Sequence, residues 1–267
     1  MAAEGTIDPM HQFSIHPVLG GAVDGSAFQF TNSALWMLIV AGTICLFMYG
    51  GMKRALVPTR WQMAVETLTG FVADITASNI GPEGRKFTPW VFTLFSFILV
   101  ANLMGMMPFG IVSAAHPFTI TSQFTLTGVL AIISFSMVLV VGFWRHGLRF
   151  FTLFIPHGTP VYLLPLIFPI EVISFLVRPF SLALRLFVAM IAGHILVDVF
   201  GNFIVQGMNA HSALGYGVSL LSFVFIVGVN ALELLVCCIQ AYVFALLTSL
   251  YLNDAVHLHM TESVDPH

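Results

Sequence analysis

Five apolar stretches, each long enough to cross a lipid bilayer, constrain this chain more than any other feature of its sequence. They cover about residues 33–52, 87–107, 124–144, 170–200 and 217–252. A membrane-spanning helix needs about 20 predominantly apolar residues. Charged residues make up only 8% of the chain, against about 25% in soluble domains, so a water-soluble fold could not cover its surface. The sequence therefore predicts an all-α polytopic membrane protein with about five membrane-crossing helices.

The segment between the first two stretches has a different pattern. Pro58 suits a first helical turn, and Glu66 and Asp74 lie among apolar residues that recur at helical spacing. Those apolar residues are Trp61, Val65, Leu68, Phe71, Val72 and Ile75. The pattern predicts one amphipathic surface helix over about 58–80.

The last two stretches are longer than a crossing needs. A helix of about 31 residues would be about 46 Å long, so it must protrude, kink or tilt. Length alone leaves these three possibilities open for the pair of helices over about 170–252. A polar link over 201–216 is predicted between them. Before them, four prolines within 150–169 disfavour a continuous helix and predict a partly helical connection along the membrane surface.

Basic residues predict the orientation in the membrane. Seven of the nine Lys and Arg lie in loops or at span ends, namely Lys53, Arg54, Arg60, Arg85, Lys86, Arg145 and Arg149. With five crossings and the N-terminus outside, all seven lie on the cytoplasmic side, as the positive-inside rule requires. We therefore expect 1–32 to be an outer N-terminal tail, 33–267 to be a single membrane domain, and the C-terminus to be cytoplasmic.

The two remaining basic residues, Arg178 and Arg185, lie inside an apolar stretch. A charged side chain there costs at least about 2.5–3.5 kcal/mol, and an arginine does not escape that cost by losing its proton. Glu171, Arg178 and Arg185 are spaced by seven and share nearly one helical face. Arg185 is predicted to be a fixed positive charge inside the membrane, although snorkelling or pairing with Glu171 would also explain it.

A second set of polar residues lies near the first. His194 and Asp198 are four residues apart, on the face of their helix opposite Arg185. On the last stretch, Glu233 shares a face with Asn230 and Gln240. Ionisable residues inside membranes usually mark ion pathways, and His, Asp and Glu can exchange protons. The set favours proton transfer, although each carboxylate could instead be a satisfied buried group.

Other functions find less support in the sequence. An intramembrane enzyme such as a protease would need a motif such as Gly-x-Ser-x-Gly or His-Glu-x-x-His, and neither occurs. A quinone or haem subunit of a respiratory complex would want paired histidines inside spans, and only His194 lies clearly inside one. No metal or cofactor is predicted, the sequence lacks a phosphate-binding loop, and a net charge of −3 speaks against nucleic acid as a partner.

Three segments resemble the F-type ATP synthase subunit a family. They are Asn-Leu-Met-Gly-Met-Met-Pro at 102–108, Ser-Leu-Ala-Leu-Arg-Leu-Phe at 181–187 with Ala-Gly-His at 192–194, and the last stretch with Leu-Glu-Leu at 232–234 and Ile-Gln-Ala-Tyr-Val-Phe at 239–244. The arrangement of His194 and Glu233 is most similar to the mitochondrial and related bacterial branch. One position departs from the family, which usually has Asn where this chain has Ala189.

The resemblance implies a non-catalytic, stationary subunit of a rotary ATP synthase, without a cofactor, in a bacterial inner membrane. Its implied partners are a ring of c subunits, b-type peripheral stalk subunits, the rest of the F1Fo complex and membrane lipid. Sodium-driven members of the family exist, and we expect protons here.

The resemblance also implies where protons pass. Two offset half-channels would reach the ring carboxylates, separated by Arg185. The outer one would use His194 and Glu233, to which spacing adds Asp198, and the inner one would be lined near Glu171. Gln240 is also expected to take part in proton translocation. Asn230, Arg178 and Asn102 are expected to be supporting polar residues.

Overall fold

The computed structural model of the chain describes residues 32–52, 58–106, 120–147, 150, 154 and 161–257. These residues form six α-helices and a few short 3-10 turns: α1 Asn32–Gly51, α2 Arg60–Ile80, α3 Thr88–Met106, α4 Phe124–His146, α5 Leu164–Asn209 and α6 Ala213–Val256. Five of the helices, all except α2, are long and apolar enough to cross a membrane. The prediction of an all-α polytopic membrane protein is confirmed.

Helix α2 is the predicted amphipathic helix. It begins after Thr59, whose side chain accepts a hydrogen bond from the Gln62 N–H at 3.4 Å. It ends at Gly81, whose φ of +79° favours glycine. Val65, Val72 and other residues of the predicted apolar face are buried. Two aromatic members of that face, Trp61 and Phe71, are exposed instead.

Helices α5 and α6 extend beyond the predicted stretches. They contain 46 and 44 residues, and only residues 210–212 separate them. The prediction of a polar link over 201–216 is therefore wrong for most of its length, because a helical surface tolerates the exposed amide side chains at 206 and 209 and the half-buried one at 202. The turn forms at His211, which adopts a left-handed φ of 45°, and the Ser212 hydroxyl accepts from the Gly215 N–H at 3.1 Å.

The start of α5 also corrects the sequence analysis. The predicted connection over 150–169 includes the first six residues of the helix, because α5 begins at Leu164. Pro165 falls in the first turn, where a missing N–H costs little. Pro169 and Pro179 lie further inside the helix, where each removes one backbone hydrogen bond. The rest of that connection is described only at 150, 154 and 161–163.

At 1.5 Å per residue, α5 and α6 are each about 65–70 Å long. The hydrocarbon core of a bilayer is about 30 Å thick. Both helices must therefore protrude, bend or tilt in a membrane. Which of these occurs stays a prediction, as does the outer N-terminal tail, nearly all of which lies outside the described residues.

The chain divides into two compact units, each containing part of α5 and part of α6. The first unit comprises the described residues of 1–49, 97–126 and 185–241, and the second those of 50–96, 127–184 and 242–267. In the first unit, Trp36, Val40 and Ala101 form a small core that joins α1 and α3. The single membrane domain expected for 33–267 remains a prediction.

The core of the second unit is aromatic. Phe150, Phe154 and Phe175 pack edge to face, with ring centroids 5.3–6.2 Å apart. Val138 of α4 and Leu252 of α6 also belong to the cluster. Hydrogen bonds add to it, since the Asn79 amide donates to the Ser249 hydroxyl at 2.9 Å and the hydroxyls of Ser134 and Thr248 lie 2.9 Å apart.

Several predicted cytoplasmic groups meet at one end of the second unit. Arg145, at the end of α4, forms an ion pair with Glu83 in the turn that also contains Arg85 and Lys86. The His146 ring lies 3.2 Å from the carbonyl oxygen of Val256, at the end of α6. These contacts agree with the prediction that the end of α4, the turn over 82–86 and the end of α6 lie on the same side of the membrane. The predicted cytoplasmic residues Lys53, Arg54 and Arg149 lie outside the described residues.

We expect Gly142→Ala to destabilise the second unit. A Cβ at Gly142 of α4 would overlap the buried Phe150 ring, and such overpacking costs about 1–3 kcal/mol. Gly128→Ala in the same helix is the matched control, because a Cβ there meets nothing within 4 Å. Heating membranes and following the folded subunit by immunoblot after detergent extraction checks the prediction. Equal melting of the two variants would contradict it.

Candidate functional site: a buried acid–base pair and an exposed arginine

The two long helices place a histidine and a glutamate together in the first unit. His194 of α5 and Glu233 of α6 approach to 3.7 Å between Nε2 and Oε1. The Glu233 side chain is only 4% exposed and that of His194 only 17%. The atoms lie just beyond hydrogen-bonding distance, so a small shift or one water molecule suffices to pass a proton between them. The sequence paired these residues through the family resemblance, because spacing alone does not relate two helices.

A glycine makes this approach possible. A Cβ on Gly193, the neighbour of His194, would lie 2.7 Å from Glu233 Oε1 and 2.9 Å from its Cδ. Any larger residue at 193 would therefore displace the carboxylate. Gly193 was quoted in the sequence analysis only as part of a family segment, and its role in positioning Glu233 was missed.

Arg185 has a different environment from the His194–Glu233 pair. It lies on α5 between the buried Leu182 and Leu186, yet its own side chain is exposed. No side chain in the described part of the chain forms an ion pair or hydrogen bond with Arg185. The pairing with Glu171 that the sequence left open is therefore absent from these residues. Arg185 presents its charge outward from α5, while His194 turns toward α6.

The other predicted residues of the first unit vary in burial. Asp198 is half-buried one turn after His194, and Asn230 is exposed. Gln240 and Asn102 are 4% and 0% exposed. Gln240 Nε2 and both polar side-chain atoms of Asn102 lack a hydrogen-bond partner among the described residues. Since burying an unpaired amide is costly, such groups are expected where water or a functional partner enters.

Glu171 and Arg178 belong to the second unit. Glu171 is half-buried. The Arg178 guanidinium lies 3.3 Å from Asp254 Oδ2 and over the rings of Phe175 and Tyr251, 5.7 and 5.2 Å from their centroids. Asp254 was missed, although it is the only acidic residue near the C-terminal end of the last apolar stretch. The charge of Arg178 thus has a carboxylate and two aromatic rings of this chain beside it, whereas Arg185 has no such partner among the described residues.

A cavity of about 580 Å³ lies between α5 and α6 in the first unit. Among the described residues, Glu233 is the only ionisable one that lines it, and Phe225 and Leu232 contribute to its apolar wall. Small residues create the space, namely Ala189, Ala192, Gly193 and Gly228. Ala189, where the family usually has Asn, is a further apolar residue of this wall. The cavity was not predicted, although the small residues in both helices were its sequence signal.

A fold of membrane-crossing helices with a buried acid–base pair between two of them defines a polytopic membrane protein of the ion-translocating class.

The family described as ATP synthase A chain matches residues 34–253, and this chain belongs to that family. ATP synthase subunit a of Rhizorhabdus wittichii is 64% identical over 97% of this chain and all of the relative. The subunit a of Sphingopyxis alaskensis is 62% identical over the same shares, and that of Maricaulis maris is 46% identical over 94% of this chain and 97% of the relative.

We expect Gly193→Ala to impair proton transfer more than assembly. The atoms that its Cβ would meet belong to the end of the flexible Glu233 side chain, so the carboxylate can move away without disturbing the helices. A misplacement of about 1 Å can cost on the order of 100-fold in rate, and we expect at least about a tenfold loss of ATP-driven proton pumping in vesicles carrying the assembled synthase.

Gly201→Ala in α5 is the matched control, since a Cβ there meets nothing within 4 Å. Immunoblots of the complex report assembly for both variants. Unimpaired pumping by the assembled Gly193→Ala complex would show that the position of Glu233 does not matter.

Proposed function

We propose that this chain is the stationary proton-translocating subunit of a rotary F-type ATP synthase and that it offers two offset half-channels to the carboxylates of a c-subunit ring. One observation carries the proposal. On a single helix, α5, an exposed arginine without a partner in the described part of the chain lies nine residues from a histidine that faces a buried glutamate. A fixed charge and a proton-exchanging pair are the two elements that such a subunit needs.

Arg185 separates the two half-channels electrostatically. A ring carboxylate must be neutral to face lipid, because burying an unpaired charge is very costly. Near a guanidinium the ionised carboxylate is favoured. The carboxylate therefore releases its proton before it passes Arg185 and binds a new one afterwards. The same positive charge repels a proton that would cross directly, so protons cross only by turning the ring.

His194 and Glu233 supply the outer half-channel. Their separation of 3.7 Å allows a proton to pass between them, and Asp198 lies one turn further along α5 as a next acceptor. The amides of Asn230, Gln240 and Asn102 support this path. Gln240 and Asn102 carry buried polar atoms that lack partners among the described residues, and such atoms would hydrogen-bond to water that accompanies the proton.

Glu171 lines the inner half-channel, toward the cytoplasmic end. Arg178 is near it in sequence, and its charge is balanced by Asp254, so it positions α5 rather than contacting the ring. The membrane potential contributes to the drive, at about 2.3 kcal/mol per charge for 100 mV.

This role also determines how the chain is placed in the membrane and which subunits it contacts. The ring-facing pair of helices over about 170–252 would tilt strongly to follow the curve of the c ring, which accounts for their length. The chain lies in a bacterial inner membrane with its N-terminus outside and its C-terminus in the cytoplasm, and b-type peripheral stalk subunits hold it against rotation. ATP chemistry takes place in the soluble partner subunits and not in this chain.

Replacing Arg185 tests the separation of the half-channels. We expect Arg185→Ala to abolish ATP-driven pumping by membrane vesicles carrying the assembled complex and to increase their passive proton leak, because the charge that switches the ring carboxylate and repels protons is gone. Both quantities are recorded with a pH-sensitive dye, and immunoblots confirm assembly. Arg178→Ala is the comparison, and we expect it to reduce assembly without adding leak. Normal pumping by Arg185→Ala would overturn the proposed mechanism.

A further inference from the structure

Three sulfur atoms from three helices meet in the first unit. The Cys237 thiol of α6 points at the thioether of Met106, at the end of α3, with 3.4 Å between Sγ and Sδ. It also lies 3.8 Å from the Sδ of Met190 in α5. Cys237 and Met190 are 0% and 1% exposed. The thiol and the thioether of Met190 are thus buried, and the side chain of Met106 is half-buried.

We propose that these three residues form a binding site for a soft monovalent metal ion, of which Cu⁺ is the biological example. Thiolate and thioether sulfurs select Cu⁺ over harder ions. Zinc would need further nitrogen, carboxylate or thiolate ligands, and within the described ranges no group of three or more His, Cys, Asp or Glu could hold a metal. Sequence spacing gave no hint of the site, because its members are 47 and 131 residues apart.

The distances of the two thioethers from the Cys237 sulfur suit an ion shared with that sulfur. With metal–sulfur bonds of about 2.3 Å, the value for zinc thiolates, three sulfurs in a trigonal plane lie about 4 Å from one another. The two separations from Cys237 Sγ, 3.4 Å to Met106 and 3.8 Å to Met190, are slightly shorter, so each of these thioethers needs to move away from the thiol by only a few tenths of an ångström. The flexible methionine side chains allow such a movement.

The charge balance suits a buried site. As Cu⁺ binds, the S–H bond of Cys237 breaks, its proton leaves to the buffer, and a copper–thiolate bond forms without any change of oxidation state. The thiolate carries −1, the ion +1 and the thioethers no charge, so the loaded site is neutral and avoids the cost of an uncompensated charge. The bound ion would bridge α3, α5 and α6 one turn from His194 and Glu233, and would stabilise the first unit by binding only its folded form.

The other two cysteines provide a matched background. Cys45 and Cys238 are exposed, so Cys45→Ser with Cys238→Ser removes accessible thiols and leaves the cluster intact. The assembled complex carrying this parent chain is incubated without oxygen in Cu⁺ buffered by a chelator, with ascorbate. Copper per complex is then measured, its X-ray absorption spectrum is recorded, and the thermal stability of the subunit is followed.

We expect the parent to retain one copper ion more than the same complex with Cys237→Ser, with a sulfur-only coordination shell and a raised melting temperature. Met190→Leu keeps the volume of the side chain and should weaken the copper binding while the complex still assembles, so the test remains decisive if Cys237→Ser fails to fold. Equal copper in parent and Met190→Leu, or nitrogen and oxygen ligands around the ion, would overturn the site. Since the readouts do not depend on proton flow, failure here is distinguishable from failure of the proposed function.

Discussion

The close approach of α5 and α6 at Gly193 and Glu233 is the contact on which the site depends. Without a side chain at 193, the Glu233 carboxylate fits against the backbone of α5 and reaches His194. In the membrane interior a carboxylate is tolerated only where it is protonated, paired or solvated. The same small residues that admit Glu233 leave the neighbouring cavity open. A single packing feature thus sets both the geometry of the acid–base pair and the space beside it.

Two arginines seven residues apart on α5 differ in their surroundings. Arg178 has a carboxylate and two aromatic rings within this chain, whereas Arg185 is exposed and has no partner in the residues that the structure describes. Since a guanidinium in contact with hydrocarbon is costly, we expect the counter-charge for Arg185 to come from beyond the described residues. The ring carboxylate of the proposed function would supply it.

Much of the fold was predictable from the sequence, for identifiable reasons. Helices α1, α3 and α4 are each about 20 residues of apolar sequence, and their observed ends lie within two residues of the predicted ones. The adjoining ends of α5 and α6 were missed for two reasons. The amide residues at 202, 206 and 209 are typical of a loop, and the residue with the left-handed φ in the turn is a histidine rather than a glycine. Arg185, His194 and Glu233 were found because ionisable residues are rare inside apolar stretches, and the family resemblance paired His194 with Glu233. Asp254, the cavity and the sulfur cluster were not, since they exist only as contacts between segments distant in sequence.

The three-residue connection between α5 and α6 has a mechanical consequence. His211 and Ser212 form a turn with no slack, and the Ser219 hydroxyl donates to the Ile204 carbonyl oxygen across the helices at 3.0 Å, just beyond it. If one helix slid along the other by a single turn, about 5.4 Å, both the turn and this hydrogen bond would break. A stationary subunit beside a rotating one experiences torque. A hairpin whose two helices cannot slide along each other resists that torque as a single rigid unit.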